Sequence, residues 1–240
     1  MNPRSVLVTG ANSEIGFEAC RQSLECGDSV IALYHHQCER LHSLVDSYGE
    51  QIQVLKVDFS AHASVESFIE EHADMLAKVD KFLHLAALRR DISYGEITSA
   101  DLLEHFTVNV LPSVLLSQYL GASMARKGWG RIVIGSSIGV KFGGGDSTYC
   151  YSLSKLSNEL IPKAAKEWSM QNVLMNVIRI GVTDTEGLRK IGAERVASRE
   201  SLVPMKRLAS AKEMASSLLW FSSEKNTYIS GQVIAVSGGE

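Results

Sequence analysis

The chain has 240 residues, a net charge of -3 from 24 Lys and Arg against 27 Asp and Glu, and 45% hydrophobic residues. That fits one globular domain with a substantial core, and the interspersed signs exclude a basic nucleic-acid face or a polybasic membrane-surface run. Cys20, Cys26, Cys38 and Cys150 show neither a Cys-x-x-Cys pair nor a His-spaced zinc pattern, so neither a metal site nor a disulfide framework is expected.

No apolar stretch reaches membrane-spanning length, and Val6-Leu7-Val8 is too short for the core of a signal peptide. The expected setting is a reducing cytoplasm, with small molecules or copies of the chain itself as partners.

Ser5 to Thr9 reads as a buried parallel strand, Thr9-Gly10-Ala11-Asn12-Ser13-Glu14-Ile15-Gly16 as a turn, and Ile15 to Leu24 as a helix. A strand, a Gly-containing turn and a helix N-terminus make a phosphate site, because free N–H groups and the positive dipole end converge there. Gly10 permits the turn, and Gly16 lets the helix approach the sheet. Ser29 to Leu33 is a second strand, ending in Tyr34-His35-His36 where a dinucleotide fold places the adenosine ribose. No carboxylate stands there, and two imidazoles suit an extra phosphate, although both also read as exposed loop residues. Gln51 to Val57 is the third strand and Ser64 to Leu76 a helix; Asp58 between them is open to an adenine contact or a helix cap.

Lys81 to Ala86 is the fourth strand, and Ala86-Ala87 at its end is small enough for a flat ligand or for simple packing. A long helix is expected over Ser99 to Lys127 from the spacing of Leu102, Phe106, Leu115, Leu116 and Leu120. Asn109 within it reads as a satisfied core amide, a bend or a water holder. The fifth strand, Arg131 to Ile134, runs into Gly135-Ser136-Ser137-Ile138-Gly139 at the carboxyl edge, where ligands bind in parallel sheets.

After Gly143-Gly144-Gly145, a helix from about Ser147 carries Tyr151 and Lys155, four residues apart and so on one face. A cation beside a phenol favours the phenolate and brings it toward a working acid or base. Met175 to Ile180 is a sixth strand, 182–204 a charged, lid-like connection, Ala211 to Ser222 a helix, and Gln232 to Val236 the last strand. Strands alternating with helices, without an interdomain linker, predict a single doubly wound, Rossmann-type α/β domain over residues 1–240.

From Thr9-Gly10 through Ile15-Gly16, Asn109, Ser136 and Tyr151-x-x-x-Lys155 to Ser237-Gly238-Gly239, the chain resembles the short-chain dehydrogenase/reductase family, most closely its 3-oxoacyl-acyl-carrier-protein reductases. The resemblance implies a seven-stranded parallel sheet flanked by helices on both faces and a homotetramer or homodimer. It also implies a nicotinamide cofactor, here leaning to NADP(H) over NAD(H), and a small carbonyl or alcohol substrate. Tyr151 would be the proton donor, Lys155 would lower its pKa and bind the ribose, Ser136 would hold the substrate oxygen and Asn109 a relay water. Ser136 is chosen over Ser137 because Gly139 follows it by three residues; Tyr149 lacks a Lys four residues on.

The cofactor would contact Gly10, Asn12, Ser13, Ile15, Gly16, Tyr34, His35, Asp58, Phe59, Ala86, Ala87, Gly181 and Thr183, with Tyr151 and Lys155. Four positions depart from the family pattern: Glu14 replaces a Gly and must point away from the pyrophosphate, His84-Leu85-Ala86-Ala87 replaces Asn-Asn-Ala-Gly, Ile180 replaces Pro and Ser237 replaces Asp. The reading is an NAD(P)-dependent ketone/alcohol oxidoreductase. A regulatory or scaffold protein of the same fold, or a dehydratase or epimerase, is the alternative. Apolar helices around Leu115 and Leu160 are the expected contact surfaces between copies.

Overall fold

Short runs of Val, Ile and Leu bounded by turns satisfy their backbone by pairing and their side chains by burial on both faces. The computed structural model, which describes residues 3–61 and 63–240, pairs seven such runs in parallel. The strands are β1 (Ser5–Thr9), β2 (Ser29–Tyr34), β3 (Ile52–Lys56), β4 (Lys81–His84), β5 (Gly130–Ser137), β6 (Val173–Ile180), β7 (Thr183–Asp184), β8 (Ala209–Ser210) and β9 (Gln232–Val236). The sheet order is β3-β2-β1-β4-β5-β6-β9, and β7 and β8 form a separate two-stranded pair. The chain leaves β1 toward β3 and then returns to the other side of β1 as β4, so a crevice opens at the carboxyl ends of β1 and β4.

Alternating side chains build one layer on each face. Leu7, Leu33, Phe82, Ile132 and Ile134 pack with Phe68, Leu116, Leu120, Met124 and Ala165; Val6, Val8, Val30, Leu83, Val133 and Ile178 pack with Ala19, Leu41, Met214 and Leu218. Each buried Leu, Ile, Val or Phe contributes ~1.5–3 kcal/mol relative to exposure. The two layers therefore outweigh the surface ion pairs, which contribute about 0–1 kcal/mol each.

The helices are α1 (Glu14–Glu25), α2 (Glu39–Tyr48), α3 (Ser64–Glu71), α4 (Ala73–Leu76), α5 (Ser99–Asn109), α6 (Leu111–Lys127), α7 (Tyr149–Ser157), α8 (Lys163–Ser169), α9 (Glu186–Arg189), α10 (Ala193–Leu202) and α11 (Ala211–Phe221). The long helix expected over 99–127 is divided at Val110, leaving Asn109 as the last residue of α5. Pro112, in the first turn of α6, has no N–H to bond back, and that is where the ladder breaks. The 182–204 connection is largely helical, with α9 and α10 joined through Gly192 at φ 94°. Leu160 lies in no helix; it is 84% exposed in the link between α7 and α8.

Candidate active site

The nucleotide end is built by close backbone approach. Gly10 has φ 66°, and a Cβ there would lie 2.8 Å from the Ala86 nitrogen; a Cβ on Gly16 would lie 2.2 Å from the Gly10 carbonyl oxygen. Only hydrogen fits at either position, which brings the β1–α1 turn against the end of β4 and makes a cradle for a pyrophosphate. Ser13 is the N-cap of α1: its hydroxyl donates to the Gly10 carbonyl at 2.8 Å and accepts the Gly16 N–H at 3.0 Å. The buried Oδ1 of Asn12 has no partner among the described residues.

Glu14 does turn away from the cradle. Its carboxylate accepts the Glu186 N–H at 2.6 Å and pairs with Arg189 at 3.0 Å and Arg40 at 3.8 Å. Arg40 in turn reaches Glu186 at 2.9 Å, and Arg189 reaches Asp184 at 2.7 Å. A single acidic side chain of the nucleotide turn thus fastens the start of the lid-like segment.

Past the end of β2, His35 meets Asp58 at 3.1 Å. Asp58 also accepts from the Ser60 N–H at 2.8 Å and the Ser60 hydroxyl at 2.6 Å. It therefore caps its own turn rather than α3, and the Ser60 bonds, with a smaller effect from His35, hold its carboxyl below the usual range. Phe59 is corrected: its side chain is buried in the core beside Val57, Val65 and Phe68, leaving only main chain for a ligand. Ala86 is buried and Ala87 exposed at the crevice. Gly181 donates its N–H to Val236 at 2.9 Å, and Thr183 donates to the Gly181 carbonyl at 3.0 Å, so both brace the exit from β6.

Tyr151 and Lys155 stack on α7 with the Lys155 amine 5.9 Å from the phenol ring centre. Lys155 is buried, and its Nζ donates to the Gly135 carbonyl at 2.8 Å. Burial draws its pKa down to about 8. Tyr151 differs from the expectation. Burial raises its phenol above the ordinary value, and the opposing pull comes first from the Ser137 hydroxyl and then from the charge of Arg89. A desolvated phenolate is costly, and the neighbouring ammonium points at a carbonyl instead.

Ser136 is the main correction. It is buried, and its hydroxyl donates to Glu159 Oε1 at 2.7 Å, away from the phenol. Glu159 is gripped by Arg179 through both oxygens, at 2.8 and 2.7 Å. Successive strand residues face opposite sides, so the serine beside Tyr151 is Ser137, which also accepts the Gly139 N–H at 3.2 Å. The one signal in the sequence was the shorter path from Ser137 to Tyr151.

Asn109 is buried and fully engaged: Oδ1 accepts the Leu88 N–H at 2.6 Å, while Nδ2 donates to the Leu88 carbonyl at 2.9 Å and to Ser154 at 2.8 Å. Its main-chain carbonyl accepts Nδ2 of Asn158 at 2.8 Å. The amide thus pins the loop after β4 to α7, and the carbonyl freed at the helix break turns inward. Tyr94 and Tyr149 meet edge to face with ring centres 5.0 Å apart, Tyr149 being the first residue of α7.

A family model described as enoyl-(acyl carrier protein) reductase matches residues 10–240. The chain belongs to the short-chain dehydrogenase/reductase family. Among relatives of this family, the 3-oxoacyl-[acyl-carrier-protein] reductase MabA of Mycobacterium avium is 30% identical over 237 residues, covering 98% of this chain and 89% of the relative. The corresponding reductase FabG of Aquifex aeolicus is 28% identical, covering 97% and 95%. A crystal structure of a 3-oxoacyl-(acyl-carrier-protein) reductase from Agrobacterium tumefaciens with NADP bound is 25% identical with a TM-score of 0.88, covering 99% of this chain and 94% of that one. As a short-chain dehydrogenase/reductase, the chain is an oxidoreductase similar to 3-oxoacyl-acyl-carrier-protein reductases. The Gly10–Gly16 cradle, the α1 N-terminus and the orphaned Asn12 amide fit the nicotinamide dinucleotide that this family uses. No described helix is long and apolar enough to cross a membrane.

Proposed function

We propose that this enzyme interconverts a ketone and a secondary alcohol with NADP(H), Tyr151 exchanging the proton on the substrate oxygen. The observation that carries this is the stacking of Tyr151 and Lys155 on α7 with Ser137 facing the phenol. Bound in the crevice, the nicotinamide supplies or accepts the hydride.

Burial keeps the Tyr151 phenol protonated, as a proton donor to a developing alkoxide requires. Ser137, in place of Ser136, is suited to donate to the same oxygen. Lys155, buried with its Nζ fixed on Gly135 and 5.9 Å from the phenol ring centre, is suited to bind the nicotinamide ribose beside Tyr151. Asn109 keeps α5 and α7 in register through its hydrogen bond to Ser154. The lean to NADP rests on His35, which follows β2 and would have to exchange its Asp58 contact for the 2′-phosphate. The name of the Agrobacterium structure, with NADP bound, supports the same preference.

Copies of the chain are proposed to associate through α5 and α6, where Leu103, Leu111 and Val114 are exposed, together with Leu156 on α7 and Leu160 just beyond it. The four free cysteines suit a reducing cytoplasm.

Replacing Tyr151 with Phe tests the assignment. Turnover of NADPH with a panel of ketones should be lost while NADPH affinity, read from its fluorescence on binding, changes less than about twofold. An active Y151F protein overturns the role.

A further inference from the structure

His84 ends β4 directly opposite Thr9 of β1 and is completely buried. The Thr9 hydroxyl oxygen accepts the N–H of Leu85 at 3.0 Å and of Ala86 at 3.1 Å, which fills both of its acceptor positions. Its own proton is then directed to the remaining neighbour, Nδ1 of His84, at 3.0 Å. A neutral imidazole carries one N–H, so with Nδ1 accepting, the proton must sit on Nε2.

That Nε2 is buried without a hydrogen-bond partner among the described residues. The imidazole lies against the main chain of Asn109, with the Lys155 charge nearby. The carbonyl of Asn109, released from the helix ladder at Val110, accepts one hydrogen bond from Asn158 and has a second lone pair free. Burial first, and then the Lys155 charge, draws the His84 pKa down to about 3, so the ring remains neutral wherever the enzyme works.

We propose that His84 is a positioning residue, locked by Thr9 as the Nε2–H tautomer, whose buried donor holds the Asn109 carbonyl in place where α5 ends. A core histidine that only filled space would need no fixed tautomer. Here the tautomer is set from the nucleotide-binding strand β1, which links the Gly10 turn to the proton-handling end of the site. The kinetic consequence rests on the ketone reduction proposed above; the tautomer does not.

Two measurements test it. Long-range 1H–15N correlation spectra of the unsubstituted chain report which imidazole nitrogen carries the proton. An Nε2–H resonance for His84, kept in T9S and mixed with the other tautomer in T9V, supports the proposal. A proton on Nδ1 overturns it and leaves the Tyr151 assignment standing. With a reducible ketone, H84L should lower kcat about tenfold, the scale of one lost positioning hydrogen bond. The NADPH dissociation constant should stay within about twofold, and H84N, which restores a donor and an acceptor, should recover most of kcat. Equal kcat for H84L and the unsubstituted enzyme overturns the positioning role. If H84L does not fold, or if no ketone is turned over, the tautomer spectra decide the matter.

Discussion

Ser136 and Glu159 are joined by a 2.7 Å hydrogen bond that fastens β5 to the chain just beyond α7. Because Arg179 of β6 holds both oxygens of the same carboxylate, the serine belongs to a buried brace and its neighbour Ser137 is left to face Tyr151.

Exchanging the two serines separately distinguishes brace from chemistry. S137A should reduce kcat about a hundredfold with little change in melting temperature, as expected for a donor that acts on the reacting oxygen. S136A should lower stability by about 2 kcal/mol, the loss of one charge-assisted hydrogen bond, and leave kcat within a few-fold. Steady-state kinetics and thermal melts check both; a catalytic defect confined to S136A would reverse the assignment.

The Lys155 pKa of about 8, against an ordinary value of 10.5, predicts a pH dependence of stability. The folded state releases this proton more readily than the unfolded one, so between about pH 8 and 10.5 the unfolded chain binds more protons and folding stability rises with pH. Below pH 8 the charged amine is buried at full cost. The gain across that window is on the order of 3 kcal/mol. Denaturant titrations of the unsubstituted chain and K155M at several pH values should show it as a difference that narrows as pH rises. Parallel curves through that window would contradict the burial argument.

Glu14 fastens α9 through exposed ion pairs, each contributing about 0–1 kcal/mol, so E14Q should leave global stability almost unchanged. Its effect is local. The segment 184–202 should be cleaved several-fold faster in limited proteolysis, and NADPH should dissociate faster in stopped-flow fluorescence. Raising salt to about 1 M should shrink the difference, since exposed pairs are screened there. Identical proteolysis of E14Q and the unsubstituted chain would show that α9 is held by packing alone.

Gly10 tests the cradle. In G10A a methyl would collide with the main chain of Leu85 and Ala86 at about 2.9 Å and oppose a φ of 66°. G10A should lose more than about 2 kcal/mol and bind NADPH at least tenfold more weakly. Calorimetry and fluorescence titration provide the check.

Val114 is 54% exposed on α6 and Leu103 67% exposed on α5. Placing Asp at Val114 should convert an oligomer to smaller species in light scattering, because an unpaired carboxylate in an apolar contact is costly. A monomer before substitution would remove this surface as the interface.

The central strands were legible because strands buried on both faces must be continuous apolar runs, as in Val6-Leu7-Val8 and Ile132-Val133-Ile134, and the edge strands β3 and β9 from shorter apolar stretches. The Gly10–Gly16 turn was legible too, since a backbone without room for Cβ leaves a glycine in the sequence. Helix α2 escaped the reading because only Leu41 and Leu44 of its ten residues are buried, too few to set a period. The break at Val110 was written as Pro112, but the apolar spacing around it masked the signal.

What the sequence determined by itself was the inventory: a Tyr and a Lys one helical turn apart, an Asn, two serines and a glycine turn, in an order set by chain connectivity. Tertiary structure alone decided how they are used. Whether Ser136 or Ser137 meets the phenol depends on which face of β5 each occupies, and Glu159 and Arg179 claim one of them from elements distant along the chain. The direction of the Tyr151 shift likewise follows from burial, which outweighs the Ser137 hydroxyl and the Arg89 charge. Spacing along a chain limits which side chains are able to meet, whereas hydrogen-bond partners and desolvation are properties of the packed whole.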